Sequence, residues 1–246
     1  MSPTLRFPRA GQLVLDFDGV LCDSATECLH IIWASYNGFD VEAFGARTGK
    51  YAVPADVAAR YWRTRPFMRH LGHFIVPLLA GPAPSDRVAF AERFASLPEG
   101  IADAFAARAR AYRAAVRAQR RDDWLALHGV WAPVAELVDG AYIATARDRA
   151  SVIEILGAHG VQVDPGWIYD ELSEKTAALA EIAEREAVPR AGVWLLDDSI
   201  DNCLAVRAAG FGAGWASWGC SDLGDEAIAI ARDVPVITLA ASRVAA

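Results

Sequence analysis

The chain has 246 residues, of which 54% are hydrophobic and 22% charged, enough apolar material for one large or two smaller packed domains and too much for a disordered chain. Its formal net charge of -7 argues against a general nucleic-acid binder, which draws its affinity from Lys and Arg set against phosphates, and favours a small or compact partner. The longest uncharged apolar runs, 211–220 and 234–242, are only about half of what a membrane helix needs, so no membrane partner is expected.

Residues 1–11 (MSPTLRFPRAG) carry two prolines, two arginines and no apolar core, which is not the pattern of a secretory leader. Cys22, Cys28, Cys203 and Cys220 form no CxxC pair and no spaced Cys/His set, and read as small buried thiols in a reducing compartment. A cytoplasmic location is the expectation.

The first predicted strand is 12–16 (QLVLD), an apolar run that ends in Asp16-Phe17-Asp18. From residue 24 to about 128 the pattern is helical with almost no strand signal, which reads as an insertion. Within it, YWRTRPFMRHLGHF (61–74) places Arg65 and Arg69 four apart on one predicted helical face, where they are candidate contacts for an anionic substrate or simply exposed arginines. His70 and His73 lack a third candidate metal ligand. The helix predicted at 99–121 sets Ile101, Phe105, Tyr112 and Val116 on one side, with Arg110, Arg113, Arg117 and Arg120 on another, a solvated face or a contact for an anionic partner.

Beyond the insertion, strands are predicted at 141–145, 193–197 and 235–239, with weaker ones at 166–169 and 213–217, and helices at 148–158, 173–187 and 199–209. The last helix is followed by Gly210, a natural stop. Continuous apolar strands alternating with helices imply an α/β fold with a parallel sheet covered on both faces. In such sheets ligands bind beyond the carboxyl ends of the strands, and three of the four best strands end in polar residues: Asp16 with Asp18, Thr145, and Asp197-Asp198. Alternation along an extended chain puts Asp16 and Asp18 on one side. Clustered carboxylates repel one another and call for a cation or a shared proton. With oxygen ligands and no His or Cys beside them, Mg2+ is the ion of choice, and such a site usually serves a phosphate. Singly, each feature has a plain structural reading: a solvated turn for the DxD, a helix cap for the DD pair or for Thr145, an exposed helix lysine for Lys175.

Taken together, Asp16-Phe17-Asp18-Gly19-Val20-Leu21, Thr145 in YIATARD, Lys175 in SEKTAAL and Asp197-Asp198-Ser199-Ile200-Asp201-Asn202 resemble, in order, the four motifs of the haloacid dehalogenase superfamily. The similarity is to the branch with a helical cap after the first motif, which includes phosphoglycolate phosphatases and β-phosphoglucomutases. It implies a Rossmann-like core at 1–23 and 129–246, a helical cap at 24–128 that closes over substrate, and hydrolysis of a small phosphorylated metabolite. It further implies Asp16 as nucleophile, Asp18 as acid and base, and Thr145 and Lys175 on the phosphoryl oxygens. Mg2+ would be held by Asp16, the Asp18 carbonyl and Asp198, with Asp197 orienting Lys175 and Asn202 holding a metal-bound water. Asn202 stands where many members have Asp. A sugar-phosphate mutase would use the same residues, and a non-catalytic binding protein could keep the fold; Asp18 argues against dehalogenation.

Overall fold

A computed structural model describes residues 11–222 and 224–239; the segment behind the leader expectation and the end of the 234–242 apolar run lie outside them. The chain divides into two compact units, one running to Asp23 and resuming at Val130, the other Ser24–Gly129.

Among the described residues the chain forms eight strands: β1 (Gln12–Leu15), β2 (Cys22–Asp23), β3 (Gly129–Val130), β4 (Tyr142–Ala144), β5 (Ile168–Tyr169), β6 (Val193–Asp197), β7 (Gly212–Ala216) and β8 (Val236–Ile237). Strands β2 and β3 pair separately, and the other six form one sheet in the order β5-β4-β1-β6-β7-β8. Every pair in that sheet is parallel, with Leu15 beside Leu196 and Asp197 beside Trp215. The chain builds outward from β1 in one direction and then, from β6, in the other, so the strand order reverses between β1 and β6. That crevice, at the carboxyl ends, is where open α/β sheets bind ligands.

The apolar runs are explained by burial. Val14, Leu15, Ile143, Val193 and Leu196 are wholly inaccessible. On one face Val14, Tyr142, Leu195 and Trp215 pack with Leu179 and Ile182 of helix Thr176–Arg185 and with Cys203 and Val206 of helix Ile200–Ala208. Gly210 ends the latter helix in a left-handed conformation. Two strand expectations exchange rank: 235–239 shrinks to the two-residue β8, while the weaker 213–217 becomes the five-residue β7. β8 is an edge strand with one neighbour, whereas β7 is bonded on both sides. The signal at β7 was diluted by glycines, one of which, Gly212, lies under the Trp194 indole where a side chain would collide.

The second unit is helical, with no strand among the described residues between Asp23 and Gly129. Its longest helix is Ile101–Gln119, ending where Arg120 leaves helical geometry, and a short helix, Arg121–Leu125, follows. Two expectations are corrected here. Arg113 does not belong to a solvated face: it is 6% exposed, and its Nε donates to Glu27 Oε1 at 2.8 Å. The Trp124 indole donates to the same oxygen at 3.0 Å, and Glu27, from helix Ala25–Asn37, is fully buried. Ile101, expected inside, is 42% exposed.

Arg65 and Arg69 do not share a helical face. The helix Ala55–Thr64 passes into a single 3-10 turn, Arg65–Phe67, and Met68 is extended. Pro66 lacks the N–H that would continue the ladder. Arg65 is buried, with its guanidinium over the Phe74 ring at 5.3 Å. The His70 and His73 rings meet at a tilt with centroids 3.8 Å apart, and the pKa of His73 is pushed down to about 3 by burial, His70 and Arg69, which keeps it neutral at physiological pH.

The Glu27–Arg113 pair leads to a stability prediction. Removing one partner leaves the other charge buried, at a cost of about 3–5 kcal/mol. Glu27→Gln or Arg113→Met is therefore expected to lower stability by roughly that amount in denaturant unfolding, while the double variant loses less than the sum. Additive losses would show that the two side chains do not act on each other.

Candidate active site

Asp16 extends β1 by one residue, its N–H bonding to Leu196 O at 2.9 Å, which delivers its carboxylate to the crevice. Oδ1 accepts from the Phe17 N–H at 2.7 Å and from Lys175 Nζ at 2.8 Å. Lys175 stands immediately before helix Thr176–Arg185, and its ammonium also donates to Asp197 Oδ2 at 2.6 Å. A cation at a helix amino end opposes the helix dipole. Here two carboxylates more than offset that.

Asp197 closes β6 and is fully buried. The Ser199 N–H reaches its Oδ1 at 2.8 Å, and Asn202 Nδ2 lies 3.1 Å from its Oδ2. Asp198 is held from the backbone: the Cys220 N–H donates to Oδ2 at 2.7 Å, and the Trp215 indole donates to the Asp198 carbonyl at 2.8 Å. Two glycines make room for it. Gly19 has φ +91°, and a Cβ there would land on the Asp198 carboxylate; a Cβ at Gly219 would meet both Asp198 and the Gly19 carbonyl.

The loop after β1 turns back tightly, with the Leu21 and Cys22 N–H groups both bonding to Phe17 O at 3.0 and 2.9 Å. Asp18 in this loop faces the segment after β4, where Arg147 grips its carboxylate through Nε at 2.9 and 3.1 Å and Nη2 at 2.9 Å. Thr145, fully buried just past β4, accepts the Arg147 N–H on Oγ1 at 3.0 Å, so its own hydroxyl proton is turned elsewhere.

Asp16, Asp197 and Asp198 each offer an oxygen within 4.8 Å of the others, and among the described residues this is the one such group of three or more His, Cys, Asp or Glu side chains. Burial drives the Asp16 carboxyl well above its usual range; the Lys175 ammonium opposes the shift, and Asp197 and Asp198 reinforce it. Burial works against the charged form of Lys175, yet the carboxylates of Asp16 and Asp197 prevail and raise its affinity for the proton. Three carboxylates this close repel one another, a hard cation would relieve that repulsion, and an all-oxygen donor set suits Mg2+.

Of the residues singled out from sequence, Asp16, Lys175, Asp197 and Asn202 form one bonded constellation with Asp198 beside it, and Asp18 and Thr145 form a second, joined by Arg147. Arg65 and Arg69 lie in the helical unit. Arg147 had not been singled out, although a charged residue two places past an apolar strand in YIATARD was a visible signal. The Cys220 contribution is a backbone donor and leaves no mark in sequence.

No protein-family model matches the sequence, and no curated protein does. Solved structures do. A Clostridium acetobutylicum protein described as a predicted phosphatase aligns at TM-score 0.57 and 14% identity over 94% of both chains. A haloacid dehalogenase-like family hydrolase from Streptococcus pneumoniae aligns at TM-score 0.53 and 14% identity over 93% of both. The chain has the haloacid dehalogenase-like fold. A predicted phosphoglycolate phosphatase from Haemophilus somnus shares that fold at TM-score 0.51 and 13% identity, over 87% of this chain and 88% of the other. Within the haloacid dehalogenase-like fold of this chain, the acidic group lies at the reversal of strand order, on the ends of β1 and β6. Among the described residues no helix is long and apolar enough to cross a membrane.

Proposed function

We propose that the protein is a Mg2+-dependent phosphatase that hydrolyses a small phosphate monoester through an aspartyl-phosphate on Asp16. The observation that carries this reading is the Asp16–Lys175–Asp197 chain beside Asp198: a buried carboxylate with a fixed ammonium at its shoulder and further acidic oxygens nearby.

Both donors to Asp16 reach Oδ1, so Oδ2 is the oxygen with lone pairs to present to phosphorus. Its attack forms the Asp16–phosphorus bond and breaks the ester bond, and Asp18 gives a proton to the departing alkoxide. Water then attacks phosphorus, Asp18 takes the proton back, and the acyl phosphate bond breaks to release inorganic phosphate. Splitting the displacement in two lets one carboxyl serve both steps, because the form that Asp18 has after the first is the form required for the second. Lys175 and the Thr145 hydroxyl supply fixed donors for the equatorial phosphoryl oxygens, where charge stabilisation does most of the work. Asp16, the Asp18 carbonyl and Asp198 would hold Mg2+, which when bound neutralises phosphoryl and carboxylate charge.

The helical unit would act as the cap that recognises the rest of the substrate and excludes water on closing, with Arg65 and Arg69 as its anion contacts. Of the two, Arg69 is the more solvent-accessible.

Hydrolysis of p-nitrophenyl phosphate is expected to need Mg2+, to stop in excess EDTA, and to be inhibited by Ca2+, whose larger and more irregular ligand shell competes for the Asp16 oxygens. Undiminished turnover in EDTA would overturn the metal assignment.

A further inference from the structure

Arg147 is 2% exposed, and a guanidinium is costly to bury unless it is well paired. It is anchored at several points. Its N–H donates to Thr145 Oγ1, its carbonyl accepts the Glu171 N–H at 3.2 Å, and its guanidinium lies over the Phe17 ring at 5.8 Å. From that fixed base Nε and Nη2 make three contacts of 2.9–3.1 Å with the two oxygens of Asp18. The Asp18 side chain is 20% exposed, against 1% for Arg147, so the carboxylate faces outward while its holder does not.

We propose that Arg147 is the positioning residue of Asp18, setting the plane and direction in which that carboxyl meets the ester oxygen and then the water. The proposal rests on the phosphatase reading above. A planar fork fixes the orientation of a carboxylate, which a single point charge such as a lysine ammonium does not. Arg147 therefore acts through Asp18, and its importance scales with how much the leaving group needs a proton. An alkoxide needs one; p-nitrophenolate departs largely without.

The test compares kcat/KM, which reports the steps up to loss of the leaving group, for glycerol 2-phosphate and p-nitrophenyl phosphate in wild type, Arg147→Met and Arg147→Lys. General acid catalysis is worth about 10²–10⁴-fold. Arg147→Met is expected to lose on the order of 10²-fold on the alkyl ester and less than about 10-fold on the aryl ester. Arg147→Lys should follow it, and carries the comparison alone if Arg147→Met does not fold. Equal losses on both esters would reduce Arg147 to a structural residue and overturn the proposal. A wild-type ratio in Arg147→Lys would assign the effect to charge and overturn it too. A folded wild type that hydrolyses neither ester would instead remove the phosphatase reading, and the positioning role with it.

Discussion

Replacing Asp16 by asparagine is expected to abolish phosphate-ester turnover, by at least about 10⁴-fold, while leaving the fold in place. The amide is nearly isosteric with the carboxylate, and its oxygen can still accept from Lys175 and from the Phe17 N–H, the two bonds that orient the side chain. What it loses is nucleophilicity. Stability follows from the electrostatics. Burial and the neighbouring acids raise the folded-state pKa of Asp16, so the folded form holds the proton to higher pH than the unfolded chain does. The ionised side chain therefore costs stability once pH rises past the ordinary carboxylate range, and asparagine removes that cost. Without a divalent ion at neutral pH, the variant should melt no lower than wild type. Retention of more than about a hundredth of wild-type turnover would exclude Asp16 as the nucleophile.

The second large effect is expected at Lys175, where the consequence reaches both catalysis and stability. Its ammonium, bonded at 2.8 Å to Asp16 and 2.6 Å to Asp197, ties two members of the acidic group in the crevice together. Lys175→Met leaves two buried carboxylates facing each other, a loss of about 3–5 kcal/mol by the cost of breaking a buried pair. It also removes a donor aimed at the charge that develops on the phosphoryl oxygens, worth about 10²–10³-fold in kcat. A ligand that binds only the folded state stabilises it by mass action. Mg2+ is accordingly expected to raise the melting temperature of Lys175→Met more than that of wild type, because it replaces a missing charge. A variant that melts like wild type and ignores Mg2+ would show that the lysine carries no electrostatic burden.

The core strands were legible in sequence because burial on both faces writes continuous apolar runs, and the acids were legible because they interrupt those runs at one end. Lys175 shows where that kind of reading reaches its limit: its motif named it and set it beside Asp197, but its bond to Asp16 came from the fold. Longer-range partnerships left less trace. Glu27 and Arg113 are far apart in sequence, and each alone looks like an ordinary charge on an amphipathic helix; only the packing of helices Ala25–Asn37 and Ile101–Gln119 turns both inward. The shared helical face expected of Arg65 and Arg69 is absent for a local reason that was visible, since Pro66 interrupts the helical spacing that would have aligned them. Arg147 was missed because the motif that includes Thr145 drew notice to the hydroxyl and away from the cation two residues on.

The two glycines around Asp198 bear on how such a chain can drift. Gly19 lies in the loop after β1 and Gly219 beyond β7, so the pocket for one carboxylate is walled by backbone from distant parts of the sequence. The requirement at both places is that nothing be there. A mutation at either cannot be compensated by a neighbour of different size, because the colliding atoms are the acid itself and a main-chain carbonyl. Elsewhere the sheet asks only for apolar residues of suitable volume, which many substitutions satisfy. Substitution can therefore range widely over the sheet, while this corner of the site holds two positions to the absence of a side chain.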